Sequence, residues 1–252
     1  MSGKATPEGW RRGDPVAIPG SYQYDALVAG PAVQRFWHRR KLELVSALVP
    51  LRAGMRALDV GCGSGVVAHF LAGQGAEVDA VDANEGAIRF ARARFERGNL
   101  RFHLTAANEM AFADGSFDLI VCLEVIEHLP AAQVAALLGL LGRLLAAEGA
   151  LLVSTPNGAS LWPVIERLMD LFGLSPPMRG EQHITRFTRG RLVQALGAAG
   201  LDVRRSGRFC GVAPFLAGVS WRLAERLDTL EHRVGQPLGN LLYALAGKTP
   251  RP

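Results

Sequence analysis

From Arg56 onward, short apolar runs alternate with stretches in which apolar residues recur every three or four positions. The short runs predict strands over Arg56–Val60, Glu77–Val81, Leu100–Leu104, Phe117–Leu123 and Ala150–Ser154. The helical spacing predicts helices over Gly65–Ala72, Glu85–Glu96 and the Ala/Leu-rich Gln133–Ala146. Strands alternating with helices imply a parallel sheet covered by helices on both faces. Ahead of this core, Pro31 suits the first position of a helix running to Val49, with Leu42, Val45 and Leu48 or Val49 on one side; Pro50 and Gly54 stop it.

Beyond Pro156 the pattern changes. Leu161–Phe172 reads as an apolar helix, Arg189–Ala199 as a helix ended by Gly200, and Leu201–Ser206 as a strand. In Phe215–Val234, Leu216, Val219, Leu223, Leu227, Leu230 and Val234 fall at three- and four-residue steps. Arg222, Glu225, Arg226, Asp228 and Glu231 take the other side, so one strongly amphipathic helix is expected. Asn240–Lys248 suits either a closing strand or a short helix. The expected organisation is a flexible lead-in over 1–20 and a single domain over 21–252. That domain divides into an N-terminal helix in 31–55, a core over 56–155, and substrate-covering insertions over 156–187 and 207–239.

Composition narrows the class. The chain has 252 residues, 49% hydrophobic and 20% charged, which fits a folded protein and excludes disorder. The formal charge of +5 favours an anionic partner. The basic residues are scattered, without an aromatic-interleaved stripe or zinc-finger spacing, so nucleic acid is not an expected partner. Weak attraction to an anionic membrane face fits the charge at least as well. The 3 cysteines include no CxxC pair, which points to a reducing, cytoplasmic setting. Residues 1–20 lack the apolar core of a signal peptide, and no run is long enough to span a bilayer; a cytoplasmic protein, at most membrane-associated, is expected.

The chemistry concentrates in two stretches. Asp59-Val-Gly61-Cys62-Gly63-Ser-Gly65 follows a strand and opens a helix. Glycines there allow a sharp turn and a close approach of a ligand to backbone N–H groups. A dinucleotide-binding loop needs G-x-G-x-x-G, and Val66 stands where its last glycine belongs. Asp82, ending the second strand, can hold both hydroxyls of a ribose, cap the next helix, or do both. The second stretch is Cys122-Leu123-Glu124-Val-Ile-Glu127-His128-Leu-Pro130. On a helical turn Glu124 lies beside Glu127 and His128, giving a patch of proton acceptors or metal ligands.

Over about Arg56 to Ser154 the chain resembles the class I S-adenosylmethionine-dependent methyltransferases. The resemblance implies an α/β, Rossmann-like seven-stranded, mostly parallel sheet with helices on both faces and helical insertions over the substrate site. The last strand, near Leu241–Ala246, is then antiparallel. It implies that the glycine loop (Asp59, Gly61, Cys62, Gly63, Gly65) holds the methionine part of S-adenosylmethionine, with Asp59 near its amino group. Asp82 and Ala83 would then meet the ribose, and Ala107, Asn108 and Leu123 the remainder of the cofactor. Many relatives carry an acid where this chain has Ala106, so Asn108 and the Ala107 backbone stand in for it. The Phe112-Ala-Asp114-Gly-Ser-Phe117-Asp118 run is typical of the family, with Asp118 in a structural role.

Glu124, Glu127 and His128 resemble the Glu-x-x-Glu-His stretch of the ubiquinone-pathway O-methyltransferases, where the triplet is associated with a divalent cation such as Mg. The competing reading is that these residues only shape the pocket. His128 suits a general base, its ordinary pKa lying near neutrality. His183 matches a histidine near the substrate mouth of relatives or is a solvent-exposed loop histidine; Trp162 is a second substrate-side candidate. The expected reaction is direct in-line displacement onto a hydroxyl of a hydrophobic, aromatic acceptor, with S-adenosylhomocysteine as product. N- or S-methylation, or a non-catalytic S-adenosylmethionine-binding scaffold, are the alternatives. The stripe in 215–234 serves as a lid, a homodimer seam or a peripheral membrane contact.

Overall fold

The computed structural model describes residues 19–160 and 183–249. Its elements, in chain order, are α1 (Tyr22–Val28), α2 (Ala32–Leu48), β1 (Arg56–Val60), α3 (Val66–Gly73), β2 (Glu77–Asp82), α4 (Glu85–Arg94), β3 (Leu100–Leu104) and β4 (Phe117–Leu123). A 3-10 turn (Ile126–His128), α5 (Ala131–Leu144) and β5 (Leu145–Pro156) follow. The chain closes with α6 (Arg189–Ala198), β6 (Leu201–Phe209), α7 (Ala213–Leu216), α8 (Trp221–Arg233) and β7 (Leu241–Lys248). The helix expected over Leu161–Phe172, together with Trp162, lies outside the described residues, as do 1–18 of the lead-in.

Seven strands form one sheet in the order β3-β2-β1-β4-β5-β7-β6. The pairings from β3 through β5 are parallel, and β7 runs antiparallel between β5 and β6. The period-two alternation of each strand divides the apolar side chains between two cores. Leu58, Val60, Ile120, Cys122, Leu151 and Val153 face Val134, Leu137, Leu138, Leu141 and Leu144 of α5 and Leu192 and Leu196 of α6. Ala57, Val78, Ala80, Leu119, Val121 and Leu152 face Val45 of α2, Ala68 and Leu71 of α3, and Ile88 and Ala91 of α4. Both faces of the parallel strands are therefore buried, which explains their nearly continuous apolar runs.

Three elements depart from the sequence pattern, and a fourth takes one of the two forms it left open. Tyr22–Val28 forms a helix that the pattern leaves unassigned. The helix expected to reach Ala146 stops at Leu144, and β5 begins at Leu145, which pairs with Phe117. There the open hydrogen-bonding edge of β4 overrides the helix propensity of the Ala-rich segment. Asn240–Lys248, open between helix and strand, supplies β7, sandwiched between two strands. The single helix expected over Phe215–Val234 is two helices, broken at Ala217–Ser220. The Ser220 side chain accepts from Leu223 N and starts α8 afresh. The expected apolar stripe is split: Val219, Leu223, Leu230 and Val234 are exposed, while Leu216 and Leu227 are half-buried against the cluster of Phe36 and Ala224, and Asp228 is buried.

Candidate active site

The sheet order reverses between β1 and β4, and in an open α/β sheet a crevice forms beyond the strand ends at such a switch point. The glycine loop leaves β1 at this place. Gly61, Gly63 and Gly65 all have positive φ (71°, 50° and 81°), which a side chain tolerates poorly. The loop is pinned from below by Gly61 N and Cys62 N, both donating to Val81 O at 2.8 and 3.0 Å. A Cβ on Gly61 would collide with Val125, one on Gly63 with the amide of Gln23, and one on Gly65 with the Phe102 ring. The loop is thus packed as closely as bare backbone permits.

Asp59 sits beneath the loop, 2% exposed. Its carboxyl accepts from the Ala68 backbone at the start of α3, yet its Oδ2 is buried with no hydrogen-bond partner. Burial, reinforced by Asp82, pushes its pKa up to about 7. A buried acceptor without a donor is a site for a cation, and the ammonium of an amino-acid moiety supplies one. Asp82 is not a helix cap, since Asn84 takes that role by accepting from Ala87 N. Instead Asp82 accepts from Gly63 N at 2.8 Å and from Asn84 N at 2.7 Å, tying the loop to β2 and keeping lone pairs for a ribose. Ala83 and Asn108 are exposed beside this end of the sheet, while Ala107 and Leu123 are half-buried. Cys62 and Cys122 are buried thiols whose pKa burial raises, so neither is a nucleophile.

Helix α1 lies across the loop. Ser64 N donates to Gln23 Oε1 at 3.0 Å, Tyr24 N donates to Ser64 Oγ at 2.9 Å, and Arg94 donates to the Tyr24 hydroxyl at 2.7 Å. Gln23 and Ser64 are therefore site residues that the sequence pattern does not single out. A glutamine in an unassigned segment carries no periodic or motif signal.

The second stretch unfolds from the end of β4. Glu124 adopts a left-handed backbone (φ 57°), a strained conformation for a residue with a Cβ, held by Glu124 N donating to Ser154 O at 2.9 Å. Its Oε2 accepts from Lys41 Nζ of α2 at 2.7 Å, and its Oε1 is buried without a partner. Around this pair stand His38, whose pKa burial and Lys41 push down to about 2, and Tyr22, whose hydroxyl burial pushes up. Glu127 is 2% exposed and accepts from Thr155 Oγ1 at 2.9 Å; burial, then Glu124, raises its pKa to about 8. Its enclosure favours the neutral form over that of an exposed glutamate.

Thr185 N donates to Glu127 O at 3.0 Å and Thr185 Oγ1 to Leu129 O at 2.6 Å, which brings His183 to His128 with ring centroids 5.4 Å apart. His183 is half-buried against His128 rather than turned to solvent. The ligand atoms of Glu127, His128 and His183 lie within 4.8 Å of one another. The expected set Glu124, Glu127 and His128 is not the group that closes in this way; Glu124 Oε2 is paired with Lys41 instead. One carboxylate and two imidazoles do not suit Mg, which takes oxygen ligands. The group that closes here is thus not a Mg site, and of the expected triplet Glu124 already pairs one oxygen with Lys41.

With this geometry, residues 33–206 match the family described as Methyltransferase domain. A ubiquinone biosynthesis O-methyltransferase of Thiobacillus denitrificans is 38% identical over 120 residues, 46% of this chain and 50% of the relative, so the chain spans half the length of that relative. One from Azorhizobium caulinodans is 30% identical over 194 residues, 76% of this chain and 74% of the relative. Among solved structures, a SAM-dependent methyltransferase from Archaeoglobus fulgidus shares the fold with a TM-score of 0.64 at 18% identity, covering 90% of this chain and 99% of that one. The chain belongs to the methyltransferase-domain family and resembles its ubiquinone-pathway O-methyltransferase branch.

Proposed function

We propose that this chain methylates a hydroxyl of a hydrophobic, phenol-, catechol- or quinol-like acceptor by in-line displacement. The observation that carries the reading is the contact between the two stretches: Gly61 abuts Val125, so the donor loop and the Glu124–His128 turn share one crevice. S-adenosylmethionine, when bound, supplies an electrophilic methyl group on a sulfonium. Asp59 Oδ2 would hold its ammonium and Asp82 its ribose. His128, next to Glu127, takes the hydroxyl proton, and alignment within a dry crevice does most of the rest. The names of the relatives support oxygen as the accepting atom. Incubation with catechol-type acceptors and S-adenosylmethionine, with and without EDTA, tests this; methyl ether formation is expected in both. S-adenosylhomocysteine binding with no turnover on any phenol, quinol or amine pool would leave the scaffold reading standing.

A membrane-proximal acceptor is favoured by α8. Val212, Val219, Leu223, Leu230, Val234 and Leu238 are exposed in one stretch of chain, with Arg222, Arg226 and Arg233 also exposed. Apolar residues flanked by arginines suit the interface of an anionic bilayer. Among the described residues no helix is long and apolar enough to cross a membrane. Sedimentation with phosphatidylglycerol vesicles should bring the protein down, and Leu223→Glu with Leu230→Glu should release it. A homodimer that buries the same stripe is the alternative outcome, visible as a doubled mass in solution.

A further inference from the structure

We infer that Lys41 supplies the cation of the acceptor site: its ammonium, set by Glu124, binds the acceptor's oxygen as an anion. The inference rests on the phenolic reading above and assigns a residue that the motif does not contain. Lys41 comes from α2, 83 positions away from Glu124, and is 8% exposed. A lysine so deeply buried is held by its partner rather than by solvent. Only one of its three N–H donors is used by Glu124, and no other acceptor takes one among the described residues. The facing carboxylate is also half-used, since Glu124 Oε1 is buried and unpartnered. Donor and acceptor vacancies therefore sit side by side at the end of β4, next to the donor loop.

A vicinal diol fits both vacancies. The reacting oxygen meets Lys41 Nζ, and the neighbouring hydroxyl donates to Glu124 Oε1. His38 and the Tyr22 ring, whose centroids are 6.3 Å apart, lie near the pair, and burial keeps His38 neutral so that it adds no competing charge. His128 first takes the hydroxyl proton, which leaves the oxygen as an anion on Lys41; as the methyl group then transfers, the O–C bond forms and the C–S bond breaks with its electron pair going to sulfur. Lys41 stabilises the negative charge that develops on the oxygen before the sulfonium charge is consumed. The glutamate that would otherwise ligate a divalent ion thus holds an internal one.

Nitrocatechol tests this directly, because its anion and neutral form differ in colour and its metal chelate differs again. Bound to wild-type protein with S-adenosylhomocysteine and EDTA, the probe should ionise at lower pH than in buffer. Lys41→Met should weaken binding of the anion about tenfold or more, while Lys41→Arg retains most of it. Lys41→Met combined with Glu124→Gln removes the pair without leaving a buried lone charge, and S-adenosylhomocysteine affinity checks that the fold survives. An undiminished anionic signal in that double variant overturns the role of Lys41. A signal that EDTA abolishes in the wild type overturns it in favour of a metal. No binding of nitrocatechol to the wild type overturns the phenolic reading itself and this inference with it.

Discussion

Asp59 should couple S-adenosylhomocysteine binding to protons. Its carboxyl is fully enclosed, one oxygen has no donor, and burial moves its pKa from an ordinary 3.8 to about 7. In the ligand-free protein the neutral carboxyl is preferred, so its contribution to stability is fully present below the unfolded value. That contribution is lost as pH rises through the folded one. Across that window the loss amounts to about 4 kcal/mol, by order of magnitude. An ammonium docked on Oδ2 reverses the preference, and the carboxyl then ionises on binding. S-adenosylhomocysteine should therefore bind about tenfold more weakly at about pH 6 than at about pH 8. Close to one proton should leave per ligand at the lower pH, and almost none at the higher.

Titration calorimetry in two buffers of different ionisation heat reads both quantities. Asp59→Asn gives a contrast of signs: it should raise the Tm of the ligand-free protein near neutral pH and above, because it removes a buried charge. It should also weaken S-adenosylhomocysteine and flatten the pH dependence. If the wild type releases no proton at the lower pH, or if Asp59→Asn keeps the same slope, Asp59 does not meet the ammonium.

Other substitutions probe the frame around the site. Gly63→Ala places a methyl group at positive φ against Gln23 and should cost about 1–3 kcal/mol in chemical denaturation, with a loss of S-adenosylhomocysteine binding. Asp228→Ala removes a buried carboxylate from Arg40 (3.2 Å) and His232 (3.2 Å) and should lower stability by about 2 kcal/mol, since Arg40 keeps Glu43 as a partner. Leu137→Ala, at a fully buried position of α5, should cost about 2–5 kcal/mol by the same measurement without altering the acceptor preference.

Much of the architecture was legible because parallel strands buried on both faces must read as apolar runs, and the helices between them must carry one apolar face. The glycine loop was legible for a backbone reason: three positive-φ positions require glycine. The acceptor side was less so, because it is assembled from α1, α2 and the residues around His183, which no short motif joins. Lys41 did leave a trace. It falls on the buried face of α2 with Phe36, Leu44 and Val45, a place where a lysine is expected only with a partner. The partner, Glu124, lies too far along the chain for spacing to reveal.

Helix α8 shows a different limit, in which a strong periodic signal leaves the direction of its stripe open. Periodicity defines a stripe but not the side on which the protein sits. Here the inward face is set by a polar anchor: Asp228 receives Arg40 of α2 and His232, and Glu231 accepts from Val212 N at the head of α7. Ala224 and the half-buried Trp221 and Leu227 pack with Phe36 on that side. Burying a carboxylate is tolerable only with partners in place, so the ion pairs select the rotation of the helix and leave four apolar side chains outside. A helix whose charged anchor faces inward leaves part of its aliphatic stripe in water. It gains most from a surface that covers the stripe, which is why vesicle binding and self-association are the two outcomes worth separating.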